Sequence, residues 1–92
     1  MYEIRYSNRM KRDAKRMKKR GKDLSKLSHV LNLLASGNPL PMQYRDHLLT
    51  ENLNGLRECH IEPDWLLMYK ILDDTLVVLA TATGSHADLF NM

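Results

Sequence analysis

Residues 56–82 read LRECHIEPDWLLMYKILDDTLVVLATA, and the pattern of this stretch decides the fold. Leu56 to Ile61, Trp65 to Ile71 and Leu76 to Ala82 are apolar-rich runs of strand length, separated by Pro63-Asp64 and Asp73-Asp74. Connections this short join antiparallel neighbours. The stretch therefore predicts a three-stranded meander, and the near-continuous apolar character of the last two runs marks them as well buried.

Working outward to the N-terminus, Tyr2, Ile4 and Tyr6 alternate with Glu3, Arg5 and Ser7, the period of a half-buried strand. Ser7 or Asn8 can cap a helix with the apolar stripe Met10, Ala14 and Met17, which Gly21 stops. Asp23 can cap a second helix bearing Leu24, Leu27, Leu31 and Leu34, widened by Val30 and Leu33 and ended by Gly37 and Pro39. The two form a helical hairpin. Residues 38–54, with Pro39, Pro41, Asn52 and Asn54, hold no period and read as an ordered loop carrying His47. Toward the C-terminus, Ser85 followed by Asp88 is a capping-box-like start to one helical turn. The order of strand, two helices and meander predicts a single α+β domain over residues 1–92: the hairpin covers one face of a small antiparallel sheet, and the opposite, concave face is left for a ligand. Where the first strand joins the sheet is not fixed by period or composition.

Cys59 is the sole cysteine, so neither an intrachain disulfide nor a multi-Cys zinc site is available, as befits a reducing cytoplasm. No apolar run approaches the roughly 20 residues of a spanning helix, and no signal-peptide core is visible, so no membrane partner is expected. The net charge of +3 hides an asymmetry: residues 1–26 hold eleven Lys and Arg against three acids, whereas the rest holds three against eight. A surface of that kind attracts a phosphate backbone without reading its sequence. A solvated helix face, or one that meets an acidic protein, accounts equally well for the charge.

Asp46-His47, Glu58-Cys59-His60, Glu62-Pro63-Asp64 and Ser85-His86 all fall at element boundaries. Cutting RNA by internal transesterification needs a base for the 2′-hydroxyl, an acid for the leaving 5′-oxygen and a cation for the phosphate, and imidazole can serve each need near neutral pH. The plainer reading of any one histidine is a surface or hydrogen-bonded core residue, and His29, among the leucines of the second helix, is assigned that reading. A metal site of His47, His60, Asp64 and His86 is chemically conceivable, but Pro63 argues against a helical ligand pair at His60 and Asp64. Cys59 alternates with His60 along a strand and so faces away from it, which disfavours a Cys-His nucleophile.

The segment Arg57-Glu58-Cys59-His60-Ile61-Glu62-Pro63-Asp64-Trp65-Leu66-Leu67-Met68-Tyr69, preceded by Tyr44-Arg45-Asp46-His47-Leu48-Leu49, resembles the YafQ-type mRNA interferases of the RelE/ParE toxin superfamily. The strongest signature is the closing Gly84-Ser85-His86-Ala87-Asp88-Leu89-Phe90. The resemblance spans nearly the whole chain and implies a RelE-like microbial RNase fold and a toxin of a type II toxin-antitoxin module. Such a toxin enters the 30S A site of the ribosome, cleaves mRNA to a 2′,3′-cyclic phosphate and a 5′-hydroxyl without metal or other cofactor, and is held inactive by a cognate antitoxin. It further implies catalytic roles for His47, His60, Asp64 and His86: His86 as acid, His60 as base oriented by Asp64, and His47 on the phosphate or sharing acid/base work. Trp65 and Phe90 would shape the site or stack on a base, Arg57 would touch substrate, and Lys15, Lys18 and Lys19 of the basic hairpin would grip RNA. The chain departs from the family pattern at Ala82, where an arginine is expected, and this suggests attenuated activity. A ParE-like toxin that inhibits gyrase without catalysis is the rival reading, and a plain RNA-binding module a third.

Overall fold

In the computed structural model, which describes residues 1–49 and 55–90, β1 (Glu3–Tyr6) leads into α1 (Asn8–Lys19) and α2 (Leu24–Ala35). The Ser7 hydroxyl caps α1 by accepting the Met10 N–H at 3.0 Å. Gly21, at φ +89°, ends that helix in a Schellman pair, Gly21 N–H to Lys18 O and Lys22 N–H to Met17 O. Asp23 caps α2 through the Ser25 N–H. A 3-10 turn at Met42–Tyr44 follows, then β2 (His47–Leu48), β3 (Arg57–Glu62), β4 (Trp65–Leu72), β5 (Val77–Gly84) and α3 (His86–Phe90). The expected meander is thus present, each strand within two residues of its predicted bounds. The region read as a loop holds a short turn and a strand as well, and Asn52 and Asn54 lie outside the described residues.

The sheet has the order β1-β5-β4-β3-β2. Its four later strands are antiparallel, but β1 runs parallel to β5, with Glu3 opposite Val77 and Tyr6 opposite Ala80. The sheet is therefore mixed rather than antiparallel throughout. The helices carry the chain away from the β1 edge, and the meander returns to it with β5 running in the direction of β1.

Both helices pack on one face. Met10, Met17, Leu27, Val30, Leu31 and Leu34 meet Cys59, Trp65, Leu67, Tyr69, Val78 and Ala80 in the core, and each large apolar side chain so buried stabilises the fold by about 1.5–3 kcal/mol. Period two sends Glu58, His60, Leu66 and Met68 to the opposite face. A bulge then shifts the phase of β5: Met68 pairs with Ala82 while Tyr69 pairs with Ala80, so Thr81 is the extra residue, and its hydroxyl donates to Met68 O at 3.0 Å. Beyond it Ala82 joins the face of Met68, and Thr83 turns to the helices.

Candidate active site

Two cross-strand rows build the face opposite the helices. One runs His47, Glu58, Met68, Ala82; the next runs His60, Leu66, Gly84. His47 and His60 thus flank Glu58, and the Nε2 of each lies 3.7 Å from its carboxylate. Glu58 itself is almost fully buried. The His47 Nδ1 lies 2.9 Å from the Arg45 carbonyl and the His60 Nδ1 3.3 Å from the Pro63 carbonyl. A carbonyl only accepts, so these contacts assign the proton to Nδ1 in both rings and leave Nε2 for chemistry.

His86 completes the cluster from the start of α3. Its ring centroid is 5.7 Å from that of His60 and 6.4 Å from that of Phe90. Its Nδ1 pairs with Asp64 Oδ1 at 2.6 Å, so Nε2 is again the free nitrogen. The Asp64 carboxyl is held below its ordinary range, first by the backbone N–H of His86 and then by its ring. Asp64 therefore orients His86 and not His60, because the turn through Pro63 carries it to the start of α3.

Position of α3 depends on Asp88, which accepts from both Arg20 nitrogens, at 2.5 and 2.9 Å, and from the Ser85 N–H at 2.9 Å. The Ser85 hydroxyl accepts the Asp88 N–H in return, completing a reciprocal cap. Gly84 makes this approach possible, since a Cβ there would stand 2.8 Å from that of Asp88.

Other expected site residues lie elsewhere. Arg57 faces the helix side, where its guanidinium binds Asp46 at 2.9 Å and the Tyr69 hydroxyl donates to the same carboxylate. It anchors the segment that carries His47 and does not reach the histidine face. Trp65 is fully buried with its indole N–H on Thr83 Oγ1 at 2.9 Å, so it supports the site from within and offers no surface for a base. Lys15, Lys18 and Lys19 are exposed on α1, across the sheet from the histidines. They form a separate basic surface and not a wall of the site. Cys59 lies in the core, where burial pushes its thiol up to about 12. His29, read as a surface or hydrogen-bonded core residue, is exposed.

Two residues were given no role in the sequence reading. Glu58 shares a face with His60 at period two, and that spacing was the available signal. Asp13 is the acid inside the basic helix; it is buried, pairs with Arg9 and Arg16, and accepts the Thr83 N–H at 3.2 Å. Among the described residues no three His, Cys, Asp or Glu side chains are grouped to hold a metal ion. No helix there is long and apolar enough to cross a membrane.

A small α+β domain with a basic helix on one side of its sheet and an imidazole-carboxylate cluster on the other is the class defined so far. Residues 2–91 match the family described as "Bacterial toxin of type II toxin-antitoxin system, YafQ". The chain is 43% identical to the mRNA interferase toxin YafQ of Escherichia coli K12 over 89 residues, 96% of this chain and 95% of that one. The toxin in the crystal structure of the E. coli DinJ-YafQ complex superposes with a TM-score of 0.89 at 41% identity, covering 98% of this chain and 99% of that one. A metal-bound toxin from Helicobacter pylori superposes at 0.92 with 39% identity, covering 98% and 100%. The chain belongs to the YafQ toxin family of type II toxin-antitoxin systems.

Proposed function

We propose that this toxin is an endoribonuclease that cuts ribosome-bound mRNA in the A site by histidine acid/base catalysis. The observation that carries the reading is the meeting of His60 and His86, 5.7 Å apart at the ring centroids, with Asp64 behind His86 at 2.6 Å. His60 Nε2 takes the proton of the 2′-hydroxyl, and the freed oxygen attacks phosphorus. The bond from phosphorus to the 5′-oxygen breaks as His86, acting in its imidazolium form with Nδ1–H held by Asp64, delivers its Nε2 proton to that oxygen. The products are a 2′,3′-cyclic phosphate and a 5′-hydroxyl. His47 contacts the phosphate, and Glu58 holds both flanking imidazoles in place. Phe90, partly exposed beside His86, supplies a stacking surface.

Lys15, Lys18 and Lys19 act at a distance from the cut, on ribosomal RNA, where a sequence-blind cationic ridge suffices. The working compartment is the bacterial cytoplasm. The partner that restrains the toxin is a cognate antitoxin, by analogy with the DinJ-YafQ assembly. Ala82 leaves the phosphate without a fixed arginine, so the activity of this chain is attenuated.

Primer extension on mRNA from cells expressing the protein tests the reading. In-frame cuts are expected, and His86→Gln should lower cleavage on translating ribosomes by roughly 10²–10⁴-fold. Full cleavage by that variant removes His86 from the acid role. Gyrase-dependent DNA damage without mRNA cuts points instead to the ParE-like mode.

A further inference from the structure

β2 stops pairing with β3 at Glu58, and beyond that residue the outer edge of β3 meets a cavity of about 620 Å³ instead of a strand. Lys26 and His29 of α2, Gln43, Tyr44 and Arg45 of the 3-10 turn, and His60 are among its walls. That volume lies within the roughly 300–1,000 Å³ of small-molecule sites and admits one nucleotide. The lining combines a half-buried aromatic ring, an exposed amide and imidazole, and two cations. Single-stranded RNA is recognised with such groups: bases stack on aromatics, their edges meet polar side chains, and phosphates meet cations.

Arg45 joins this cavity to the catalytic row. Its backbone is left-handed, at φ 52° and ψ 41°, a conformation rarely adopted by a residue with a side chain. In that conformation its carbonyl accepts from His47 Nδ1 while its side chain lines the cavity. No acidic side chain among the described residues pairs with its guanidinium, in contrast to Arg20 and Arg57. The carboxylate of Glu62, also at the cavity, is neutralised by Lys22 and Lys26 at 2.7 and 2.8 Å.

The cavity is lined by His60 but by neither His86 nor Phe90, whereas Phe90 lies beside His86, at 6.4 Å between ring centroids. We infer that it is the subsite for the nucleotide on the 5′ side of the cut, with the nucleotide on the 3′ side placed against Phe90. The polarity rests on the nuclease reading and on its roles for His60 and His86. The nucleotide that carries the attacking 2′-hydroxyl must lie beside the base, and the one that carries the leaving 5′-oxygen beside the acid.

The test maps cut sites by primer extension across many codons and measures single-site kinetics on ribosomes programmed with mRNAs that differ only in the nucleotide 5′ to the cut. His29→Ala and Gln43→Ala alter exposed positions. Arg45→Asn keeps a residue that tolerates left-handed backbone. The unaltered chain should prefer one 5′ nucleotide. The double variant His29→Ala/Gln43→Ala should lose that preference, and Arg45→Asn should raise KM about tenfold with kcat changed by less than about twofold. Unchanged preference and KM in all variants, in a chain that does cut, overturns the subsite. A loss of preference at the 3′ nucleotide instead overturns the polarity, and no cutting by the unaltered chain overturns the nuclease reading beneath both.

Discussion

Asp64 receives two hydrogen bonds from one residue, His86, whose ring Nδ1–H and backbone N–H lie 2.6 and 2.9 Å from the same carboxylate oxygen. The pair fixes both the tautomer of the imidazole and the place where α3 begins. It also keeps the Asp64 carboxyl ionised to lower pH than usual, so a loss of activity in mild acid would not come from Asp64. Asp64→Asn retains the shape but not the charge. Its kcat for mRNA cleavage should fall about 10–100-fold, the range seen when a group that orients a functional histidine is lost. Single-turnover rates on programmed ribosomes measure this, and an unchanged kcat would leave Asp64 with a purely structural part.

Asp88 anchors the same helix from the other end. Its carboxyl is held far below the usual range, chiefly by the Arg20 guanidinium and then by the Ser85 N–H and hydroxyl. A group whose folded-state pKa is depressed contributes its full stability above its unfolded value of about 4, and loses it progressively as pH falls from there through the lower native value. The anchor therefore contributes fully at neutral pH, weakens below about pH 4 and is lost in strong acid. Asp88→Asn should have a lower Tm than the parent at pH 7, with the gap closing toward pH 2, and a kcat reduced about tenfold because His86 and Phe90 lose their placement. Thermal melts across that pH range decide the point; equal Tm values at pH 7 count against it.

The meander was legible because its apolar runs and breakers are local signals, and His60 and His86 could be singled out because one lies near the end of a strand and the other at the start of a helix. What escaped depends on long-range register. Thr81 looks like any strand residue, and only its pairing against Met68 reveals the bulge that separates Ala80 from Ala82. Nothing local says that β1 will lie parallel to β5. Arg57, expected at the substrate, faces the helix side for a related reason: an arginine near a histidine in sequence alternates to the opposite face when the segment is a strand. β2, two residues long, gets its form from β3, and its own composition does not reveal it.

Asp13 ties α1 to the strand end that leads into the site. It is buried, accepts the Thr83 N–H at 3.2 Å and pairs with Arg16 at 2.5 Å and Arg9 at 3.4 Å. Thr83 in turn accepts from the Trp65 indole and donates to Leu66 O at 2.6 Å. Asp13→Ala leaves a buried N–H without an acceptor, which costs about 1–3 kcal/mol, and each kcal/mol lowers Tm by roughly 4–8 °C in a domain of this size. Asp13→Asn keeps an acceptor for Thr83 and should recover part of the loss. Calorimetry on the three proteins checks the order, and an alanine variant as stable as the parent would refute the clamp.

Ala82 stands in the cross-strand row that contains His47 and Glu58, on the histidine face because of the bulge at Thr81. Two strand spacings, roughly 10 Å, separate it from Glu58. An arginine at this position could extend over Met68 toward the phosphate that the proposed mechanism places at the cluster of His47, His60 and His86, where alanine reaches nothing. A fixed guanidinium matches a phosphate with two parallel hydrogen bonds, and a contact of this kind made in the transition state is worth about a hundredfold in rate. Ala82→Arg should therefore raise kcat by about that factor and deepen growth arrest. Ala82→Leu controls for bulk, since it fills the same space without charge and should not accelerate cleavage. Equal rates for the arginine and leucine variants, measured on programmed ribosomes, would show that the missing cation is not what limits this toxin.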